Sequence, residues 1–333
     1  MTDKTITLAH GAGGIRTGRL IRDVILKYFR DPVLRRLEDA AAVLMPGREV
    51  AFTTDAYVVD PIFFPGGDIG RLAICGTVND LAMKGAEPSY LSLSLILEEG
   101  LAIADLERIL RSAARAARQA GVTVVCGDTK VVPKGKADKI FIITSGIGEI
   151  RIRTGREFIR PGDMIILSGT IGDHGIAVLN ERLGLGLRSG ICSDTAPLNL
   201  VTEKLFRFSA SLRFMRDPTR GGISSVLNET LDGSRLGMVI SESLLPVKKE
   251  VRGAAAMLGL DLLEIANEGK FIAVVDPRKA AAVLKTIKRH RLGRRAAIIG
   301  EVVRKPTGVW LKTAIGGLRP VMLLEAEGLP RIC

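Results

Sequence analysis

Between residues 89 and 97 apolar and polar side chains alternate, with Leu91, Leu93, Leu95 and Leu97 on one side and Ser92, Ser94 and Ile96 on the other. A period of two predicts a strand covered mainly on one face. The period then lengthens. Ile103, Leu106, Leu110, Ala113 and Ala117 recur at helical spacing opposite Arg108, Arg111, Arg115 and Arg118, which predicts an amphipathic helix with a solvated basic face. Upstream, DIGRLAICGTVNDLAMKGA reads as a helix in spite of Gly76, although glycine costs about 1 kcal/mol against alanine in a helix interior. Downstream, VTVVCG and KIFIITSGIGEI are short apolar runs. Strands and helices mixed in this order predict an α+β fold.

Residues 151–163, RIRTGREFIRPGD, are rich in charge and turn formers, and MIILSG opens a new apolar run, so a domain boundary is expected there. The second half repeats the theme. Strands are expected at MIILSG, LGMVI, FIAVV and AAIIGEVV, and helices after GDHG, around GGISSVLNETL, and at KEVRGAAAMLG and PRKAAAVLKTIKRH. Gly316, Gly317, Pro320, Gly328 and Pro330 punctuate the remainder. The expected division is therefore 1–150, 151–315 and a flexible tail, 316–333, which fully extended at about 3.3 Å per residue would reach roughly 50–60 Å.

With 333 residues, 47% of them hydrophobic, the chain can bury a large core in about two domains. No apolar run approaches the roughly 20 residues that cross a bilayer. The first residues lack the basic-then-apolar layout of a signal peptide, so a cytoplasmic protein with no membrane partner is expected. Cys75, Cys126, Cys192 and Cys333 form no CxxC pair, and His10, His174 and His290 are scattered, which argues against a zinc site or a disulfide framework. Cys75 and Cys126 lie in apolar runs and are expected to be buried and inert. A net charge of +12 invites a phosphate-bearing partner. Aromatic residues are only 4% and are not interleaved with the basic ones, so nucleic acid is not expected. An anionic small substrate or an acidic protein explains the charge equally well.

Four aspartates end apolar runs beside small residues: Asp39 in LEDAA, Asp55 in TTDAY, Asp80 in VNDLA and Asp128 in CGDTK. Singly, each is an ordinary turn or cap residue. Together they suit Mg2+, which prefers carboxylate oxygen and usually arrives with nucleotide phosphates. The clusters HGAGG, FFPGGDIG, GTIGDHG and DPTRGG bring glycines close to these acids. Each reads as a tight turn, yet before a helix such glycines also let backbone N–H groups approach phosphate. None is a Walker A or a GxGxxG fingerprint, so a non-P-loop phosphate site is expected. Lys130 and Lys134 could offset charge on a transferring phosphoryl group. Glu268 in IANEGKF is either a turn residue or a base in a cleft. The closing letters LPRIC bring Cys333 behind Pro330, which keeps the approach extended. Arg331 would favour a thiolate there and the α-carboxylate would oppose it. Such a cysteine is either idle or a nucleophile presented to two different sites.

Taken together, LAHGAGG, FFPGGDIGRLAICGTVNDLA, GDTKVV, SGTIGDHG, DPTRGG, ANEGK and the final PRIC resemble the HypE family of nickel–iron hydrogenase maturation factors. That family belongs to the superfamily of AIR synthetase, selenophosphate synthetase and thiamine-monophosphate kinase. The match spans nearly the whole chain, and PRIC separates the family from its relatives. The resemblance implies two mixed αβ domains of the AIR-synthetase type, a homodimer formed through the first, and ATP with Mg2+ in a cleft between them. It implies ATP-dependent dehydration of a carboxamide on Cys333 to a thiocyanate. A carbamoyltransferase would load Cys333, and the cyano group would pass to iron on a scaffold complex of two further maturation proteins. Metal would be held by Asp39, Asp55, Asp80 and Asp128. The nucleotide would meet Asp55, Gly66, Gly67, Asp68, Asn79, Asp80, Asp128, Thr129, Asp217, Thr219 and Arg220. Lys130 would stabilise the phosphoryl group and Glu268 would take a proton from the amide nitrogen. Glu38 stands where superfamily members often carry aspartate, leaving its contact with metal open. Two rivals are a kinase or synthetase of a free small molecule, indifferent to Cys333, and a non-catalytic assembly protein switched by nucleotide.

Overall fold

A computed structural model describes residues 14–19, 22–23, 36–38, 40–45, 47–187, 190–323 and 331–333. After a short helix α1 (Ile15–Arg19) come strands β1 (Ala41–Met45) and β2 (Arg48–Tyr57), then a small hairpin of β3 (Phe63–Phe64) and β4 (Gly67–Asp68). Helix α2 (Ile69–Met83), β5 (Ala86–Glu98), helix α3 (Ile103–Ala120), β6 (Thr123–Val132) and β7 (Ile140–Ile150) complete the first half. Its sheet runs β1-β2-β7-β5-β6, antiparallel except for β5 and β6. Parallel neighbours need a crossover, and α3 supplies it.

Helix α2 starts where Asp68 accepts a hydrogen bond from the Arg71 N–H at 2.9 Å, an N-cap that satisfies an otherwise orphaned donor. It is buried on nearly every side, which is why its sequence shows no polar stripe. Gly76 is explained by a close approach: a Cβ there would lie 2.2 Å from the Tyr57 hydroxyl.

Two expectations are corrected. Helix α3 forms, but its buried stripe is Ile109, Ala113, Ala116, Ala117 and Ala120, while Ile103 and Leu110 face outward. The small residues let α3 pack closely on Ile74, Cys75 and Val78 of α2, which turns the helix by about one position from the simplest reading. Strand β6 is exposed along nearly its whole length because it is the sheet's edge, so Cys126 is exposed rather than buried. Cys75 is buried as expected.

The second half begins with β8 (Met164–Leu167), helices α4 (Asp173–Arg182) and α5 (Asn199–Thr202), and β9 (Leu212–Arg216). There follow α6 (Gly222–Thr230), β10 (Gly237–Ser241), α7 (Lys249–Leu258), β11 (Ile272–Val275) and α8 (Pro277–Lys288). The sequence of strands ends with β12 (Ala297–Val303), β13 (Gly308–Lys312) and β14 (Leu318–Pro320). The sheet order is β14-β13-β10-β12-β8-β11-β9. Central β8 and β11 are apolar at every position because both faces are covered. Ile165, Leu167, Ile272 and Val274 pack with Ile223 and Leu227 of α6, while Ile166, Ala273 and Val275 pack with Val283 and Ile287 of α8. Each such side chain contributes about 1.5–3 kcal/mol by leaving water. Ala82, Met83 and Ile152 join the second of these clusters, so the halves share apolar core. The segment read as the start of a tail contributes an edge strand: Leu318 pairs with Lys312 and Pro320 with Trp310.

Candidate active site

Residues of both halves line a cleft of about 1000 Å³, with Asp55 and Asp80 on one wall and Asp217, Thr219 and Arg220 on the other. The last three residues of the chain run beside this cleft. The Val58 N–H donates to the Cys333 carbonyl at 3.2 Å and the Asp60 N–H to the Arg331 carbonyl at 3.1 Å, so the tail lies antiparallel to the extension of β2. Ile332 is buried among Val59, Ile62 and Phe64. Arg331 pairs with Asp138 at 2.7 Å and with Asp60 at 3.5 Å. That corrects the expectation that Arg331 would attend the sulfur: its backbone takes a left-handed turn, with φ of 49°, and Asp138 and Asp60 hold its guanidinium instead.

The cation that faces Cys333 is Arg220. Burial nonetheless pushes the thiol up to about 12; Arg220 opposes that rise, while Glu268 and Asp55 add to it. The Glu268 side chain lies close to the thiol. Its carboxyl is 2% exposed, and its Oε1 has no hydrogen-bond partner. Burial, followed by the nearby Asp217, Asp194 and Asp55, holds Glu268 well above the ordinary carboxylate range, with Arg220 acting against them.

A loop before α5 sets this geometry. Asp194 accepts from the Glu268 N–H at 3.1 Å and from Lys270 Nζ at 3.1 Å. Burial works against its charge, but Lys270, His174 and the Glu268 N–H keep it below the usual range. Next to it, Ser193 Oγ lies 2.8 Å from His174 Nδ1, and His174 Nε2 lies 2.8 Å from the Ile332 carbonyl. A carbonyl only accepts, so Nε2 carries the proton and Nδ1 accepts from the serine. Burial lowers the His174 proton affinity, partly offset by Asp194 and by the Ile332 carbonyl. Sequence reasoning did not single out His174, Ser193, Asp194, Lys270 or Arg182. The usable signal was GDHG, a histidine placed in the first turn of a buried helix.

Asp55 and Asp80 are positioned by neutral donors, Tyr57 Oη to Asp55 Oδ2 at 3.0 Å and Thr53 Oγ1 to Asp80 Oδ2 at 2.9 Å. Among the described residues no group of three acids, histidines or cysteines could enclose a metal by itself. A pair of cleft carboxylates instead fits Mg2+, which binds through one or two carboxylates together with substrate phosphates and water.

Other expected site residues lie elsewhere. Asp128, Thr129 and Lys130 are exposed on edge strand β6, with Lys130 Nζ 3.4 Å from Asp128, away from the cleft of this chain. Asp68 is the α2 cap, Gly66 sits in the turn of the β3–β4 hairpin, packed against the Ser193 backbone, and Gly67 opens β4. Asn79 is buried and holds the halves together, donating to the Ala196 carbonyl at 3.2 Å and accepting from the Leu198 N–H at 2.8 Å. Glu38 is paired with Lys84. Asp39 and the glycines before Gly14 lie outside the described residues. Among the described residues no helix is long and apolar enough to cross a membrane.

Comparison with known proteins agrees with this architecture. Residues 37–150 match the family described as AIR synthase related protein, N-terminal domain, and residues 160–311 match its C-terminal domain. The chain is 50% identical over 334 residues to the carbamoyl dehydratase HypE of Rhizobium leguminosarum bv. viciae, covering 98% of this chain and 95% of that protein. It is similar to the crystal structure of a HypE–HypF complex, with a TM-score of 0.87 and 46% identity over 92% of this chain and 99% of that one. It is also similar to the crystal structure of hydrogenase maturation protein HypE in complex with ATP, with a TM-score of 0.82 and 46% identity over 99% of this chain and 100% of that one. Fold, cleft, tail motif and near full-length identity together make the chain a member of the HypE family of carbamoyl dehydratases, within the AIR-synthase-related proteins.

Proposed function

We propose that the protein uses ATP to dehydrate a carboxamide carried on the Cys333 sulfur, leaving a thiocyanate that supplies cyanide to the iron of a nickel–iron hydrogenase. The seating of the Cys333 thiol against buried Glu268, beside a cleft with room for a nucleotide, carries the reading. The names of its relatives, and the capture of one HypE with ATP, support it.

An amide oxygen is a poor leaving group and must first be activated. The carboxamide oxygen takes the terminal phosphoryl group as ADP departs and one proton leaves the nitrogen. The carbon–oxygen bond then breaks with release of phosphate, the second N–H proton leaves, and a C≡N group remains on sulfur. Glu268, with its raised proton affinity, is suited to take up a proton. Arg220 offsets negative charge on the oxygens in transit. Asp55 and Asp80 are the residues that would hold Mg2+, which supplies charge neutralisation on the phosphates. Asp217 and Thr219 line the wall against which the nucleotide would lie.

The reading includes a homodimer. The open edge of β6 carries Asp128, Thr129 and Lys130, and a second copy pairing along that edge would bring these residues into a shared interface. Loading of Cys333 by a carbamoyltransferase, and delivery to a scaffold complex of two further maturation proteins, both require the tail to leave its seat. A HypE crystallised with HypF supports a protein partner of this kind. The test is stoichiometric. Protein loaded with a carboxamide at Cys333 should release one ADP per loaded tail in a single turnover, and unloaded protein should release none. ADP release that ignores loading would contradict the proposal.

A further inference from the structure

The docked tail is held mainly by its main chain. Arg182, at the last turn of α4, donates through Nε to the Asp60 carbonyl at 2.6 Å and through Nη2 to the Arg331 carbonyl at 2.5 Å. One guanidinium therefore ties the wall of the site to the tail. His174, in the first turn of the same helix, donates to the Ile332 carbonyl, and the Val58 N–H takes the Cys333 carbonyl. The Arg331 side chain adds its pairing with Asp138.

We propose that Arg182 is a positioning residue which, with His174 and Asp138, docks the tail by gripping its backbone and Arg331, so that one seat accepts Cys333 whatever its sulfur carries. The inference rests on the reading that Cys333 bears the reacting group. None of these grips uses the sulfur, so a bare thiol, a carboxamide and a thiocyanate present the same handle. Discrimination between them then falls to Glu268 and the cleft. The rigid fork of arginine matters, since two carbonyls on different segments must be reached at once; an ammonium concentrates its donors at a single point.

The experiment reads the bare thiol without nucleotide. Unloaded protein is treated with iodoacetamide and each cysteine peptide is followed by mass spectrometry. Cys333 of the wild type should react more slowly than exposed Cys192, because reaction waits for undocking. Arg182→Gln should speed Cys333 about tenfold, the factor corresponding to loss of a charge-assisted hydrogen bond, and Arg182→Lys should behave much as Gln does. Asp138→Asn, a change at an exposed ion pair that leaves the fold intact, should speed it by about twofold to fivefold. Cys75, buried in the core, should stay protected throughout. Unchanged Cys333 rates would overturn the proposal, as would full protection in Arg182→Lys or exposure of Cys75, which would signal general loosening. Because no carboxamide or ATP is present, failure here leaves the dehydratase reading standing, and failure of that reading is seen in a separate assay.

Discussion

A carboxyl group buried away from water and set among other acids keeps its proton to higher pH than one in solution, and Glu268 is buried among Asp217, Asp194 and Asp55 with Arg220 opposing them. The unfolded chain loses that proton in the ordinary carboxylate range while the folded chain retains it, so folding stability falls as pH rises from that range through the raised value. Glu268→Gln should therefore stabilise the protein at neutral pH by about 1–2 kcal/mol, since an amide removes the proton-linked cost that burial puts on this carboxyl, while abolishing dehydration. Urea unfolding and single-turnover assays on the same sample check both. Equal or lower stability, or retained activity, would contradict the assignment. In the wild type the rate should climb with pH as Glu268 ionises and then level off. At this scale the letters revealed Glu268 as one of two alternatives and Cys333 as conspicuous. They misassigned the neighbouring cation, because Arg220 reaches the sulfur through folding and Arg331, adjacent in sequence, points away.

Helix α2 connects packing to the site. Alanine at position 76 would gain about 1 kcal/mol of helix propensity, but its Cβ would collide with the Tyr57 hydroxyl that holds Asp55. Overpacking costs about 1–3 kcal/mol, so Gly76→Ala should lower the urea midpoint and weaken nucleotide binding together. A stable variant with unchanged binding would contradict the link. Strand β6 makes the second prediction. Val125 is 58% and Val131 69% exposed on an unpaired edge, a pattern that invites pairing with another strand. Sedimentation should find a dimer for the wild type and a monomer for Val125→Lys; a monomeric wild type would remove the second copy from the site. The elements themselves were legible, because amphipathic and fully buried runs differ in period. What was not legible was their surroundings: the orientation of α3 follows from which small residues meet α2, and the exposure of β6 follows from its place at the sheet edge.

Across the whole molecule, two mixed sheets share apolar core, and the chain's own last residues dock along the extension of β2 beside Asp55's wall of the cleft. The mixed α+β architecture was readable from alternating strand and helix patterns, and the motifs GDTKVV, DPTRGG and PRIC carried the family. The gathering of the motifs was only partly readable. Asp55, Asp80, Asp217, Thr219 and Arg220 converge within one chain, whereas Asp128, Thr129 and Lys130 lie on an outer edge that the described residues leave open. Sequence order does not reveal whether a residue serves its own cleft or a neighbour's. The central claim is that the substrate is the protein's own tail. The most direct test is the mass of the Cys333 peptide, taken before and after protein loaded with a carboxamide is given MgATP. The account predicts loss of one water confined to that peptide, with ADP formed in equal amount; a tail that keeps its carboxamide while ATP is consumed would contradict it.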